Sequence, residues 1–340
     1  MLPKNSIQLS IFIGTYNRFN YLILTIQNIL NELSSISFEI IIVDGGSTDG
    51  TVNYIKKLEL SHNNIRHILH GKLLGMSNVF NDCFKISKGK YIFNLPDHSL
   101  IEGKMFLKSI ALMEKQQNIC GVAQKIYVND SRYRYIRYHK KFPYIILLEQ
   151  IIFKKHEIDY IDKNYQKHYW LMDIVLKCLL DGKIISCTKQ FSEFHIQIIN
   201  DDMHKYSNLN RSGSIDKKYF YNKWDKLINI MEKELSPHKK LINKFNKKIL
   251  NIIYYCTNSG FMKKYIFKKT QILDDYNEIL LCDSEFMTLI KPNFSIKFID
   301  KVIDWLLDKT SAINSNDIDK DNNFYLFQKL PDRVINNYKN

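Results

Sequence analysis

Two short stretches place chemically capable residues at the ends of apolar segments. In FEIIIVDGGSTDGT (38–51) an acid, Asp44, closes a run of aliphatic residues. A carboxylate at such a tip can accept hydrogen bonds from a nucleobase or a ribose. The pair Gly45-Gly46 lets backbone pass close to a ligand. The following STDGT can cap a helix, and a helix start can also receive an anion. A plain strand-turn-helix corner is the alternative reading. In YIFNLPDHSL (91–100) Asp97 and His98 stand at the tip of a second apolar run. An oxygen and an imidazole there could hold Mn²⁺ or Mg²⁺; a polar turn closing a buried strand would look the same.

The elements that must carry these tips follow from periodicity. Apolar strands are expected at 9–14, 38–44, 65–70 and 91–96. Helices are expected at 18–33, where Leu22, Ile26, Ile29, Leu30 and Leu33 recur at helical spacing, at 47–60, and at 75–89 with Gly89 as a C-cap. Strand alternating with helix implies a mostly parallel sheet with helices on its faces, and ligands beyond the carboxyl ends of the strands. The four tips GTYN, DGGSTDG, HGK and PDHS should therefore lie together. Beyond residue 101 the alternation loosens: a helix in IEGKMFLKSIALMEKQQ, strands in GVAQKIYV and SRYRYIRYH, then a helix, a stop at Gly182 and a strand in HYWLMDIVLKCLLDGKIISC. After about 206 the chain is polar, then helical and Lys-rich. The expected organisation is an α/β domain over 1–205, with 1–100 and 101–205 as its halves, and a mainly helical region over 206–340.

SIFIGTYNR, EIIIVDGGSTDGT and GMSNVFNDCFKISKGKYI (75–92) together resemble the nucleotide-sugar-binding half of family 2 glycosyltransferases, which have the GT-A fold. In the third segment Gly75, Ser77, Asn81, Lys85, Gly89, Tyr91 and Ile92 match the family pattern, while Phe80 and Cys83 replace its usual Arg and Gly. The resemblance covers residues 8 to about 100 well and continues thinly to about 200. It implies that Thr15, Tyr16, Asn17, Arg18, Asp44, Gly45, Gly46, Ser47, Asn81 and Asp97 surround a nucleotide-diphosphate sugar, UDP- or GDP-linked. The family's DxD-like motif holds Mn²⁺ or Mg²⁺, which neutralises charge on the departing diphosphate. Here only Asp97 of that motif is a carboxylate, with His98 beside it and His195, at the end of a later strand, as a third candidate ligand. An inverting transfer also needs a carboxylate base. Where the family often has Glu-Asp this chain has Trp170-Leu171, and Asp173 is the nearest acid; capping the helix or pairing with Lys177 is its structural alternative. The two incomplete motifs leave open a second reading, a catalytically degenerate binding or scaffold subunit of a glycan-assembly complex.

Composition sets outer bounds. Hydrophobic residues make up 45% and charged residues 25% of the 340, ordinary values for a globular chain. No apolar run reaches the length of a membrane span, and the first residues lack the pattern of a signal peptide. A cytoplasmic protein is expected, with possible peripheral contact on the inner face of the plasma membrane. The six cysteines, at 83, 120, 178, 187, 256 and 282, read as scattered core thiols. Of the net charge of +14, the first hundred residues hold only +2. The basic remainder suits an anionic partner or reflects compositional drift. Arg132 and Arg134, alternating with Tyr133 and Tyr135, could meet a glycan or lipid-linked acceptor. No nucleic-acid module is apparent. The Lys-rich stretch 239–255 could lie on an anionic membrane or pack on its own domain.

Overall fold

A computed structural model of the chain describes residues 7–128, 137–138, 146–147, 150–166, 169–195, 207–234 and 323–340. Strands β1 (Leu9–Thr15) and β2 (Phe38–Asp44) are almost wholly buried. Side chains alternate across a strand, so each strand serves two cores. Ile11, Ile13, Ile40 and Ile42 join one core, and Phe12, Ile41 and Val43 the other. That is why the sequence shows continuous apolar runs, the signature of a sheet covered on both faces.

The first core is closed by α1 (Phe19–Glu32), α2 (Thr51–Ser61) and α4 (Gly103–Lys115). The second is closed by α3 (Met76–Ile86), α5 (Trp170–Leu180), α6 (Ser207–Lys223), α7 (Asp225–Glu234) and a final helix α8 (Asp332–Lys339). The remaining strands are β3 (Ile65–Leu69), β4 (Tyr91–Asn94), β5 (Ser99–Ile101), β6 (Ile119–Val128), β7 (Arg137–Tyr138), β8 (Ile146–Leu147), β9 (Ile151–Lys154), β10 (Ile184–His195) and β11 (Phe324–Gln328). The main sheet runs β11-β10-β6-β9-β4-β1-β2-β3, with β5 paired to β10. Strands β3, β2, β1 and β4 are mutually parallel, and β6 and β10 are parallel to each other. The antiparallel β9 lies between β4 and β6. All the parallel strands thus end at one edge of the sheet.

The expected α/β alternation is present, with three local differences. Helix α2 begins at Thr51, not 47, because the Asp49 carboxylate accepts from the Thr51 N–H (3.1 Å), the Thr51 hydroxyl (2.6 Å) and the Phe19 N–H at the start of α1 (2.9 Å). Residues 47–50 are a cross-brace between two helix starts. Helix α3 ends at Ile86, short of Gly89, whose N–H is instead donated to Ser10 Oγ at 2.8 Å. The third difference is β11. The C-terminal region returns to the sheet, pairing Phe324 with Thr188 and Gln328 with Ile185 on β10. Val334 and Ile335 of α8 then bury against the core that holds α7. Arg132, Tyr133, Arg134 and Tyr135 and the Lys-rich 239–255 lie outside the described residues. Among the described residues no helix is long and apolar enough to cross a membrane.

Candidate functional site

The carboxyl ends of β1, β2, β4 and β10 bring the predicted tips together. Thr15 and Asp44 are register partners on adjacent parallel strands. Asp44 is 1% exposed. Its Oδ2 accepts from the N–H groups of Gly46 (2.8 Å) and Ser47 (2.9 Å), which fixes the turn. Its Oδ1 is buried with no hydrogen-bond partner, as is Thr15 Oγ1 beside it. Buried acceptors without donors cost free energy, so they are rare unless something else fills them. Among the described residues Asn94 Oδ1, Ser99 Oγ and Glu193 Oε2, also at this edge of the sheet, share that condition, as do Tyr91 Oη and Gln124 Oε1 elsewhere in the sheet.

Gly46 has φ +94°, and a Cβ there would sit 2.6 Å from the Gly71 carbonyl oxygen. The turn after β2 therefore packs directly on the loop after β3. Asn17, at φ +50°, holds the β1 loop against that turn: its N–H is donated to Ser47 Oγ (2.8 Å) and its Oδ1 accepts the Thr48 N–H (2.7 Å). Thr15, Asn17, Asp44, Gly45, Gly46 and Ser47 are thus one constellation. Tyr16 lies between Thr15 and Asn17 in the same loop.

Arg18 links this constellation to the β4 tip. Its Nη1 donates to Asp97 Oδ1 at 2.8 Å and lies 3.3 Å from His98 Nδ1, which is itself 3.0 Å from Asp97 Oδ1. Burial raises the Asp97 pKa, but the His98 contact and the Arg18 charge outweigh it, and the carboxyl is held below its ordinary value. Burial lowers the His98 pKa more than Asp97 raises it. His195 pairs with Ser99 in register, and its ring centroid is 5.3 Å from that of His98. The antiparallel β5–β10 pairing brings the two histidines together from residues 97 apart. His195 Nε2 lies 2.8 Å from Glu193 Oε1. Glu193 was missed in the sequence; strand alternation in FSEFH puts it on the same face as His195 and could have revealed it.

Two predicted site residues are placed elsewhere. The side-chain amide of Asn81 donates to the Ile161 carbonyl (2.8 Å) and accepts the Ile161 N–H (2.7 Å). Both its polar groups hold the 161–166 segment on α3, where Ser77 also bonds the Tyr165 carbonyl. Asp173 is 2% exposed. Its Oδ1 accepts from Tyr165 Oη (3.0 Å) and Trp224 Nε1 (2.9 Å), and Lys223 and Lys177 pair with it at 3.0 and 3.2 Å. This carboxylate, expected to meet an acceptor hydroxyl, is enclosed by donors from α5, the end of α6, Trp224 and the 162–166 turn. The predicted pairing with Lys177 is present. Asp162, bonded to Tyr219 Oη (2.6 Å) and Lys223 Nζ (2.8 Å), extends the cluster. Lys223 and Trp224 were given no role in the sequence because their partners lie 50 and 51 residues away.

The fit of a divalent cation can be judged from the donors. Among the described residues no three His, Cys, Asp or Glu side chains converge so as to hold one. The carboxylate of the β4 tip is already joined to a guanidinium. The donor set at Asp97, His98 and His195 does not fit a preformed site for Mn²⁺ or Mg²⁺.

Residues 10–172 match the family described as Glycosyl transferase family 2. Over that stretch the chain is similar to family 2 glycosyltransferases. A glycosyltransferase of Haemophilus influenzae whose function is uncharacterised is 24% identical over 119 residues, and the match spans 35% of this chain and 36% of that relative. The chain thus matches about a third of the length of this curated relative. A mannosyltransferase of Pyrobaculum calidifontis, solved in complex with GDP-Man and Mn²⁺, superposes with a TM-score of 0.52 at 11% identity, covering 88% of this chain and 87% of that one. Residues 1–349 of TarS from S. aureus, solved with UDP-GlcNAc, give a TM-score of 0.49 at 14% identity, covering 98% and 90%. The sheet flanked by helices has the GT-A fold, the class expected from the sequence.

Proposed function

We propose that the chain moves a sugar from a nucleotide-diphosphate donor, UDP- or GDP-linked, to a hydroxyl of a glycan acceptor. The setting we propose is bacterial surface-glycan synthesis, with inversion at the sugar and a lipid-linked acceptor. The observation that carries this reading is the pair of orphaned oxygens, Asp44 Oδ1 and Thr15 Oγ1, buried side by side at the end of the first two strands, in the stretch similar to family 2 glycosyltransferases. A nucleoside offers N–H and O–H donors that satisfy them. The Gly46 turn lets backbone close around the ligand, and Arg18 lies between this turn and the β4 tip. The donors bound in the solved relatives, GDP-Man and UDP-GlcNAc, are of the same class. Asn81 and Asp173 then act as positioning residues, holding the 161–180 segment against the domain.

The test is titration calorimetry of the full chain with UDP and with GDP, beside Asp44→Ala. Binding of one nucleotide to the wild type, weakened about tenfold or more in Asp44→Ala, supports the reading; each hydrogen bond to a charged group contributes about 1.5–3 kcal/mol. No binding of either nucleotide refutes it.

One observation favours a second reading, a non-catalytic binding or scaffold subunit. Both carboxylates that the family resemblance offered for chemistry, Asp97 and Asp173, are joined to basic side chains of the chain itself. Nucleotide binding with no turnover of UDP- or GDP-linked sugars would select it.

A further inference from the structure

The charge at the β4 tip is arranged differently from a metal-binding tip. A hard divalent ion needs several oxygen ligands. Here the motif supplies one carboxylate, and Arg18 Nη1 occupies its Oδ1 at 2.8 Å. A guanidinium stays protonated at any accessible pH, so an ion approaching that oxygen meets a fixed like charge. The side chains of Arg18 and Asp97 are only 13% and 3% exposed, where solvent screens that repulsion weakly. His98 Nδ1 faces the same pair, and His195 Nε2 faces Glu193. Arg18 is also the residue before α1, directly after Asn17, which is bolted to the Asp44 turn through Ser47 and Thr48. Its positive charge is therefore held between the nucleoside end of the site and the β4 tip, along the line a diphosphate must take.

We propose that Arg18, oriented by Asp97, supplies the positive charge that receives the donor's diphosphate, so that nucleotide binding needs no divalent cation. This rests on the nucleotide-diphosphate reading above. It gives Asp97 the work of aiming a guanidinium in place of ligating a metal. Guanidinium and phosphate match in geometry as well as charge.

The experiment is calorimetric titration of the full chain with UDP and GDP, each in EDTA and in Mn²⁺. The wild type is expected to bind one nucleotide with affinities that agree within about threefold between the two conditions. Arg18→Ala is expected to weaken binding in EDTA by about tenfold or more. In that variant Asp97 loses its built-in cation, so Mn²⁺ should recover part of the affinity, a metal dependence absent from the wild type. Arg18→Lys, which keeps the charge but not the planar fork, should fall between wild type and Arg18→Ala in EDTA; if Arg18→Ala does not fold, this variant carries the test. Wild-type binding only with Mn²⁺ overturns the proposal and leaves the nucleotide reading standing. Arg18→Ala or Arg18→Lys binding like the wild type in EDTA overturns the role of Arg18. Binding of neither nucleotide under either condition overturns both readings.

Discussion

Replacing Asp173 separates a base from a brace. The carboxylate is 2% exposed and serves Tyr165, Trp224, Lys223 and Lys177 at once. In Asp173→Ala the Tyr165 hydroxyl and the Trp224 N–H lose their Asp173 partner in a buried setting, at about 1–3 kcal/mol each. Removing one member of a buried ion pair costs about 3–5 kcal/mol. These figures describe overlapping losses and do not add. Lys223 also keeps Asp162 at 2.8 Å and is partly exposed, which places the expected cost near the low end, about 3 kcal/mol. Asp173→Asn retains a carbonyl acceptor for Tyr165 and Trp224 and should cost about half as much. Urea unfolding, read as a midpoint shift at constant slope, measures both. Donor binding and turnover per folded molecule should survive in Asp173→Asn. A general base lost at this position would instead remove about 10²–10⁴-fold of the rate. Wild-type stability in Asp173→Ala, or an Asp173→Asn variant that folds normally with turnover abolished, would refute the brace and return Asp173 to the chemistry.

Two further outcomes follow from the same geometry. Gly46→Ala and Gly50→Ala both place a side chain at positive φ, +94° and +98°, a cost of about 1–2 kcal/mol. A Cβ at Gly46 also meets Gly71 backbone at 2.6 Å, while one at Gly50 meets nothing within 4 Å; Gly46→Ala should therefore melt lower than Gly50→Ala and alone weaken UDP or GDP binding. The Asp162–Lys223 contact should shape the pH profile. Burial raises the Asp162 pKa, but hydrogen bonds from Lys223 and Tyr219 outweigh it and hold it well below its ordinary 3.8. A depressed carboxyl stabilises the fold above its unfolded value and loses that contribution as pH falls through the folded value. Melting temperatures of wild type and Asp162→Asn should differ near neutrality and converge as pH drops below about 3.8; a gap that persists or widens in acid would rule this out. Burial depresses the Lys223 pKa, yet its two carboxylate partners raise it overall, so its contribution is present below the ordinary 10.5 and fades at higher pH.

What was readable in the sequence was local. Apolar runs in β1 and β2, helical spacing in α1, and the acids that close the strands depend on neighbours within a few residues. The clustering of Thr15, Asn17, Asp44, Gly46 and Ser47 followed, because parallel strands joined by helices must end at one edge. The start of α2 and the end of α3 were displaced by contacts from elsewhere: Asp49 reaching Phe19, and Gly89 reaching Ser10. The return of β11 to β10 was unreadable for a stronger reason, since a five-residue strand pairs with a segment 136 positions earlier, and nothing local specifies an edge partner. The same distinction governs the site. A strand tip carrying Asp97 is a sequence property. That its carboxylate holds Arg18, 79 residues away, and that Asp173 is enclosed by Lys223 and Trp224 from beyond the next strand, depend on loop packing and helix docking. The sequence by itself determined where carboxylates could stand; tertiary structure decided which cation meets each one, and a carboxylate's chemistry is set by that partner and by the water it has lost.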